Sequence, residues 1–286
     1  MLPLQELRQA FAILPDSTVQ YYTCAEDGEP YDVCLVQTEQ GERVIKRAKG
    51  YEANIYHTLL QGCPCVPRLY GTAQIGADTY LLIEHMPGES VLRLDRETLT
   101  KILDALIEIQ QAYWQVTSSA DCAYSFDEAL HARQKRGTFL CNAAIEQAYA
   151  TYLDLFCTLP RTLCHEDLLP FNAIVSHDRA TLIDWEIAGI LPYPTSLARL
   201  LAHAQDTPDA LFYATDADKA FAARYYYDRL PALHAVPFAD FVRALRYFIL
   251  YEYCEWIMVG NKYHTTDSPR YRQYLALSHA LLPTLN

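Results

Sequence analysis

The stretch Leu163–Gly189 reads LCHEDLLPFNAIVSHDRATLIDWEIAG and decides how the rest of the chain is read. Asp167 follows His165 by two positions, Asn172 follows Asp167 by five, and Asp184 closes the apolar triplet TLI twelve positions later. TLCHE and NAIVS read as short strands, with HDRA as the turn into TLIDW, a small sheet set among helices. On that reading a carboxylate and an amide face each other across a tight loop, and a second carboxylate ends the neighbouring strand. Oxygen donors of this hardness suit Mg²⁺, which binds one or two carboxylates and completes its shell with phosphates.

Outward from this stretch the chain changes character. In the first 80 or so residues, TVQYYTC, YDVCLVQTE and ERVIKRA are β-branched and aromatic runs separated by AEDGEP and QG, the pattern of a three-stranded antiparallel meander. YEANIYHTLL carries apolar residues at helical spacing, and DTYLLIEHM returns to a strand. MPGES, with its Pro and Gly, separates this part from a helical remainder. There Leu99, Ile102, Leu103, Leu106, Ile107 and Tyr113 form one stripe, with Asp95 or Thr98 available as cap. Further helices are expected near 127–135, 141–157, 195–204, 217–229 and 238–259. The expected division is 1–84, a hinge at 85–88, and 89–286.

Bulk properties narrow the function. The 286 residues suffice for two lobes with real cores. With 23 Lys+Arg against 35 Asp+Glu, the formal charge of -12 argues against nucleic acid and anionic membrane surfaces as partners. No apolar run approaches the length of a membrane span and no signal peptide is evident, so a cytoplasmic protein is expected. Nine Cys, several inside apolar runs, fit a reducing compartment. Cys63-Pro64-Cys65 is the one close pair; without a second Cys/His pair at zinc spacing it reads as a coincidence in a loop.

Together, His165-x-Asp167-x-x-x-x-Asn172 and the later Asp184 resemble the catalytic and metal-binding loops of the aminoglycoside phosphotransferase and choline kinase superfamily. Chain order extends the resemblance over roughly residues 18 to 205. ERVIKRA resembles the strand bearing a nucleotide-binding lysine, YEANIYHTLL the helix bearing its glutamate partner, and LLIEHMPGE the hinge. The resemblance implies an α+β, two-lobed protein-kinase-like fold, with a small N-terminal antiparallel sheet lobe holding one helix and a larger, mainly helical C-terminal lobe. It implies ATP or GTP with Mg²⁺ as cofactors and a small-molecule hydroxyl as phosphate acceptor. Asp167 is then the catalytic base, Asn172 and Asp184 hold the metal, and Lys46 meets the phosphates with Glu52 fixing it. Glu84 and Met86 flank the nucleotide at the hinge, and His165 holds the loop by hydrogen bonds.

Several positions depart from the family pattern. Glu166 stands where protein kinases have Arg, Phe171 where Gly is common, and Ser196 where a structural Asp is frequent. The only glycine near a phosphate-covering loop is Gly28. DWEIAGILPYPTSLARLLAH runs almost directly into a helix, leaving no room for a protein-kinase activation segment, so a small acceptor is favoured. On the helix at 238–259, Glu252 and Glu255 lie three apart with Tyr251 and Trp256 beside them. They are candidate substrate residues for a cationic acceptor through charge and cation–π attraction, against the alternative of core aromatics and glutamates paired with Arg243 or Arg246. The competing functions are a catalytically silent nucleotide-binding module that acts through a protein partner, and a metal hydrolase. HEDLL lacks the HExxH arrangement the latter needs.

Overall fold

The computed structural model describes residues 2–14, 16–23, 29–117, 124–207 and 210–285, so the AEDGEP turn and Gly28 lie largely outside the described residues. The N-terminal part is built on a five-stranded antiparallel sheet. In chain order it comprises α1 (Leu4–Ala10), β1 (Gln20–Thr23), β2 (Pro30–Thr38), β3 (Gly41–Arg47), α2 (Glu52–Thr58), β4 (Leu69–Ile75) and β5 (Asp78–Glu84). The strand order is β1-β2-β3-β5-β4. The expected meander is present. β4 was not anticipated, because LYGTAQI offers little apolar alternation, although Gly76, at φ +61° in the two-residue turn into β5, is a hairpin signal.

Strand alternation gives this sheet two different faces. Cys34, Val36, Ile45, Tyr80 and Leu82 pack with Leu2, Leu7 and Ile13, so α1 covers one side. Val44, Leu81 and Ile83 point the other way, toward Ile55 and Tyr56 of α2 and the main core. Among the described residues the N-terminal part thus holds two short helices where one was expected. The surplus helix exists because Leu2 and Leu7 seal a face that would otherwise be wet.

The remainder is β6 (Glu89–Ser90), α3 (Arg96–Ala112), α4 (Phe126–Gly137), α5 (Ala143–Thr158), β7 (Arg161–Cys164), β8 (Ala173–Val175), β9 (Ala180–Leu182), β10 (Gly189–Pro192), α6 (Pro194–Ala202), β11 (Ala204–Gln205), β12 (Phe212–Tyr213), α7 (Asp216–Arg229), α8 (Phe238–Lys262) and α9 (Pro269–Leu281). The cap of α3 is Asp95, whose carboxylate accepts from Thr98 N at 2.8 Å. The two expected strands of the opening stretch do not share a sheet. β7 pairs with β10, whereas β8 lies between β6 and β9. A sheet partner 25 or more positions away has no local signature, which is why the short apolar runs were grouped by proximity. The consequence is that Asp167 and Asn172 sit in a loop between two small sheets, anchored at both ends.

Candidate active site

Alternation also selects the lysine. Lys46 shares the inward face of β3 with Val44, and its Nζ lies 2.8 Å from Glu52 Oε1 and is also bonded to Asp184 Oδ1. Arg47 points to the opposite face and pairs with Asp32, while Lys49, beyond the strand, pairs with Glu186 at 3.3 Å. Glu52 opens α2 and is 1% exposed. Burial works to lower the Lys46 pKa, but the two carboxylates outweigh it and hold the ammonium charged. Burial raises the Glu52 pKa, with Lys46 opposing.

The loop after β7 carries the other groups. Its conformation is held by His165, which is fully buried: its backbone N–H donates to Ser196 Oγ at 2.9 Å, and Nε2 donates to the Ile183 carbonyl at 2.7 Å. The ring lies 4.5 Å from that of Trp185, and burial lowers its pKa, keeping the imidazole neutral. Ser196 therefore takes the anchoring hydrogen bond at the position where an Asp is frequent. Asn172 Nδ2 donates to the Asp167 carbonyl at 2.8 Å, so this contact uses the amide nitrogen and not Oδ1. Glu166 and Asp184 adopt left-handed φ values of +65° and +67°, a strained choice for non-glycine residues of the kind found at sites that must aim a side chain.

Sequence reasoning missed a group of arginines. Arg199 on α6 donates to Asp167 Oδ1 from Nε at 3.0 Å and Nη2 at 2.7 Å, while Nη1 reaches Glu252 at 2.8 Å and Glu255 at 3.3 Å. Glu255 also pairs with Arg136 of α4, and Tyr251 donates to it at 2.8 Å. Glu166 is paired with Arg133, itself fully buried and bonded to Tyr152 at 2.8 Å. Glu252 and Glu255 are thus already met by internal cations. The partners are Arg199 and Arg136, not Arg243, which lies 3.7 Å from Asp240, or Arg246, which donates to Thr284. Trp256 stacks on Tyr274 and lies under the Arg270 guanidinium at 4.3 Å. Despite full burial, Arg199 and His203 keep Glu252 below the usual carboxylate range.

The donor set fits a hard divalent cation. Oxygens of Glu52, Asp184 and Glu186 lie within 4.8 Å of one another, and Glu52 Oε2 is buried without a hydrogen-bond partner among the described residues. Glu186 belongs to this cluster and was not among the expected residues. At the hinge, Glu84 ends β5 and its Oε2 accepts from Arg68 N at 3.2 Å. Met86 follows, half-buried, and Gly88 at φ +149° lies so close to β8 that a Cβ would meet Val175 O at 2.7 Å.

A strand lysine is thus salt-bridged to a helix glutamate and to Asp184, and Asp167 and Asn172 lie together in the loop after β7. Solved structures agree on the fold. The amicoumacin kinase hAmiN, solved with AMP-PNP and Ca²⁺, aligns at TM-score 0.65 with 13% identity over 100% of this chain and 93% of that one. Choline kinase LicA from Streptococcus pneumoniae aligns at 0.59 with 15% identity, over 98% and 99%. The aminoglycoside phosphotransferase APH(4)-Ia, solved with ADP and hygromycin B, aligns at 0.60 with 14% identity, over 98% and 97%. No curated protein sequence matches the chain. Residues 25–248 match the phosphotransferase enzyme family, and the chain belongs to it.

Proposed function

We propose that the protein transfers the γ-phosphate of ATP, bound with Mg²⁺, to a hydroxyl of a small molecule in a reducing cytoplasm. The observation that carries this reading is the convergence of Lys46, Glu52 and Asp184 in one ion-pair cluster, with Asp167 and Asn172 in the adjoining loop. Phosphoryl transfer asks a protein for positioning and charge cancellation more than for covalent chemistry. Lys46 supplies a permanent cation for the phosphates, held in place by Glu52. Asp184 and Asn172, with Glu186 beside them, offer the oxygens for the metal, which when bound neutralises charge on the transferring phosphoryl group. Asp167 accepts or orients the proton of the acceptor hydroxyl, and Arg199 fixes that carboxylate by two hydrogen bonds from α6. Glu84 and Met86 line the hinge side of the nucleotide.

The acceptors of the structural relatives, choline and aminoglycosides among them, support the class of small hydroxylated amine without choosing a member. Because Glu252 and Glu255 hold Arg199, they act on the acceptor through Asp167. The test is a panel of hydroxylated amines, sugars and amino-acid-like alcohols screened for acceptor-dependent ADP release, with Asp167→Asn as control. Acceptor-dependent release lost in that variant is expected; a full panel that never exceeds slow background ATP hydrolysis counts against the reading.

A further inference from the structure

The sequence Gln61-Gly-Cys-Pro-Cys-Val-Pro67 links α2 to β4, and its two cysteines differ in surroundings. Cys63 is half-buried and lines a cavity of about 560 Å³ together with His57, Arg68, Tyr70 and Arg179. That volume lies within the roughly 300–1,000 Å³ of small-ligand pockets, and the lining contains none of Lys46, Asp167, Asn172 or Asp184, although Glu84 at the hinge end of β5 belongs to it. Cys65 is buried, at 7% exposure, and its thiol donates to Glu108 Oε2 of α3 at 3.2 Å. Its backbone carbonyl accepts from Leu182 N at 2.8 Å, which pins the loop to β9. One sulfur therefore faces a cavity, and the other sits behind it with a carboxylate in contact.

We propose that Cys63 and Cys65 form a thiol–disulfide exchange site for low-molecular-weight disulfides, in which Cys63 attacks, Cys65 resolves and Glu108 accepts the Cys65 proton. In the first step the Cys63 thiolate attacks one sulfur of the small disulfide. A Cys63–small-thiol bond forms, the original S–S bond breaks, and a small thiolate leaves with the electron pair. In the second step Cys65 gives its proton to Glu108 and attacks Cys63 Sγ. The Cys63–Cys65 bond forms, a second small thiolate leaves, and Glu108 returns the proton to solvent. Net, two protein thiols are oxidised and one disulfide is reduced to two thiols. Burial of Cys65 makes it the second sulfur, since solvent-borne reagent reaches Cys63 first.

Reactivity favours the same order. The Cys65 S–H, shared between Glu108 and Cys63, together with the Cys65 backbone N–H, pulls the Cys63 thiol down to about 7, against the opposing effect of burial, while Cys65 is raised by its hydrogen bonding and burial. At neutral pH about half of Cys63 is then thiolate, against about 3% for a thiol of ordinary pKa ~8.5. The lower basicity costs about fivefold in intrinsic nucleophilicity for a Brønsted slope of about 0.45. The balance is a rate about threefold above that of an ordinary exposed thiol. A ring closed across one intervening residue is tight, so the product is readily reduced, the behaviour of regulatory rather than structural disulfides.

The experiment uses the fully reduced chain at pH 7, pulsed with oxidised glutathione, quenched in acid and mapped by peptide mass spectrometry. The first glutathione adduct is expected on Cys63, about threefold faster than on the exposed Cys141 and Cys157, and in the wild type it converts to a Cys63–Cys65 disulfide. Cys65→Ser should accumulate the mixed disulfide on Cys63, Cys63→Ser should leave Cys65 unmodified, and Glu108→Gln should slow the conversion without slowing the first adduct. Thermal melts of each variant confirm that it is folded. Labelling of Cys63 no faster than Cys141 and Cys157 overturns the attacking role. A wild-type mixed disulfide that persists overturns the resolving role.

Discussion

Arg199 is the point where stability and turnover separate, and two substitutions pull them apart. Arg199→Met removes the cation between Glu252 and Asp167. Glu252, whose side chain is 4% exposed, then keeps, among the described residues, only His203 at 3.3 Å as an ion-pair partner. Breaking a buried pair by removing one partner costs about 3–5 kcal/mol. For 286 residues at about 2.1 cal/mol/K each, the unfolding entropy is about 0.6 kcal/mol/K, so Tm falls by about 5–8 °C. Arg199→Met combined with Glu252→Leu should recover most of that loss, because no unpaired charge remains buried, yet should not recover turnover. Arg199→Lys keeps the charge but presents one nitrogen where the guanidinium presents Nε and Nη2 to Asp167. Losing one charge-assisted hydrogen bond, worth about 1.5–3 kcal/mol, lowers kcat by about 10- to 100-fold with a small change in Tm. Calorimetry and steady-state kinetics with an acceptor from the panel measure both. A single Met variant melting within 2 °C or so of wild type, or a Lys variant with undiminished kcat, refutes the reasoning.

Three further outcomes follow from the same geometry. Mg-nucleotide should protect the wild type and Asp167→Asn against heat, by about 2.7 kcal/mol at 100 times Kd, but protect Asp184→Asn much less; equal protection of both variants in thermal melts would merge the roles assigned to the two aspartates. Gly50→Ala should destabilise by about 1–3 kcal/mol, because Gly50 sits at φ +52° and a Cβ would meet Glu186 O at 2.8 Å. Its Mg-nucleotide protection should weaken as well, and a melt indistinguishable from wild type contradicts this. Glu252 has a folded pKa below its unfolded value of about 4.5, so its stabilisation is complete above that value and is lost as pH falls through the folded one. Urea titrations between pH 6 and 3.5 should show the gap between wild type and Glu252→Gln closing in acid; a gap that stays constant or widens argues against the pair.

What could be read in the sequence was what the chain encodes locally. His165, Asp167 and Asn172 lie within eight positions, and Asp184 follows one hairpin later, so residue type and spacing place them. Lys46 was legible once strand alternation put Arg47 on the other face, where Asp32 meets it. β4 stayed hidden because Gly71, Thr72 and Gln74 dilute its apolar signal, and the β7–β10 pairing because a sheet partner far along the chain leaves no mark on either strand. The arginines were hidden for the same reason: Arg133 and Arg199 meet Glu166 and Asp167 across 33 and 32 positions.

That distance also explains the departure at the acceptor side. A chain with twelve excess negative charges invites the reading that two neighbouring glutamates on one helix await a cation. Net charge is a sum over the whole surface, however, whereas a carboxylate that is nearly fully buried must find its counter-charge within a few ångströms or lose its ionisation. Glu252 is so buried, and the cation that meets it comes from α6, whose sequence TSLARLLA gives no sign of facing α8. The same guanidinium grips Asp167, so under the proposed catalytic role of Asp167 the helix that carries Glu252 and Glu255 acts on the acceptor hydroxyl through Arg199. Substitutions on that face of α8 should therefore be felt in kcat before they are felt in acceptor affinity.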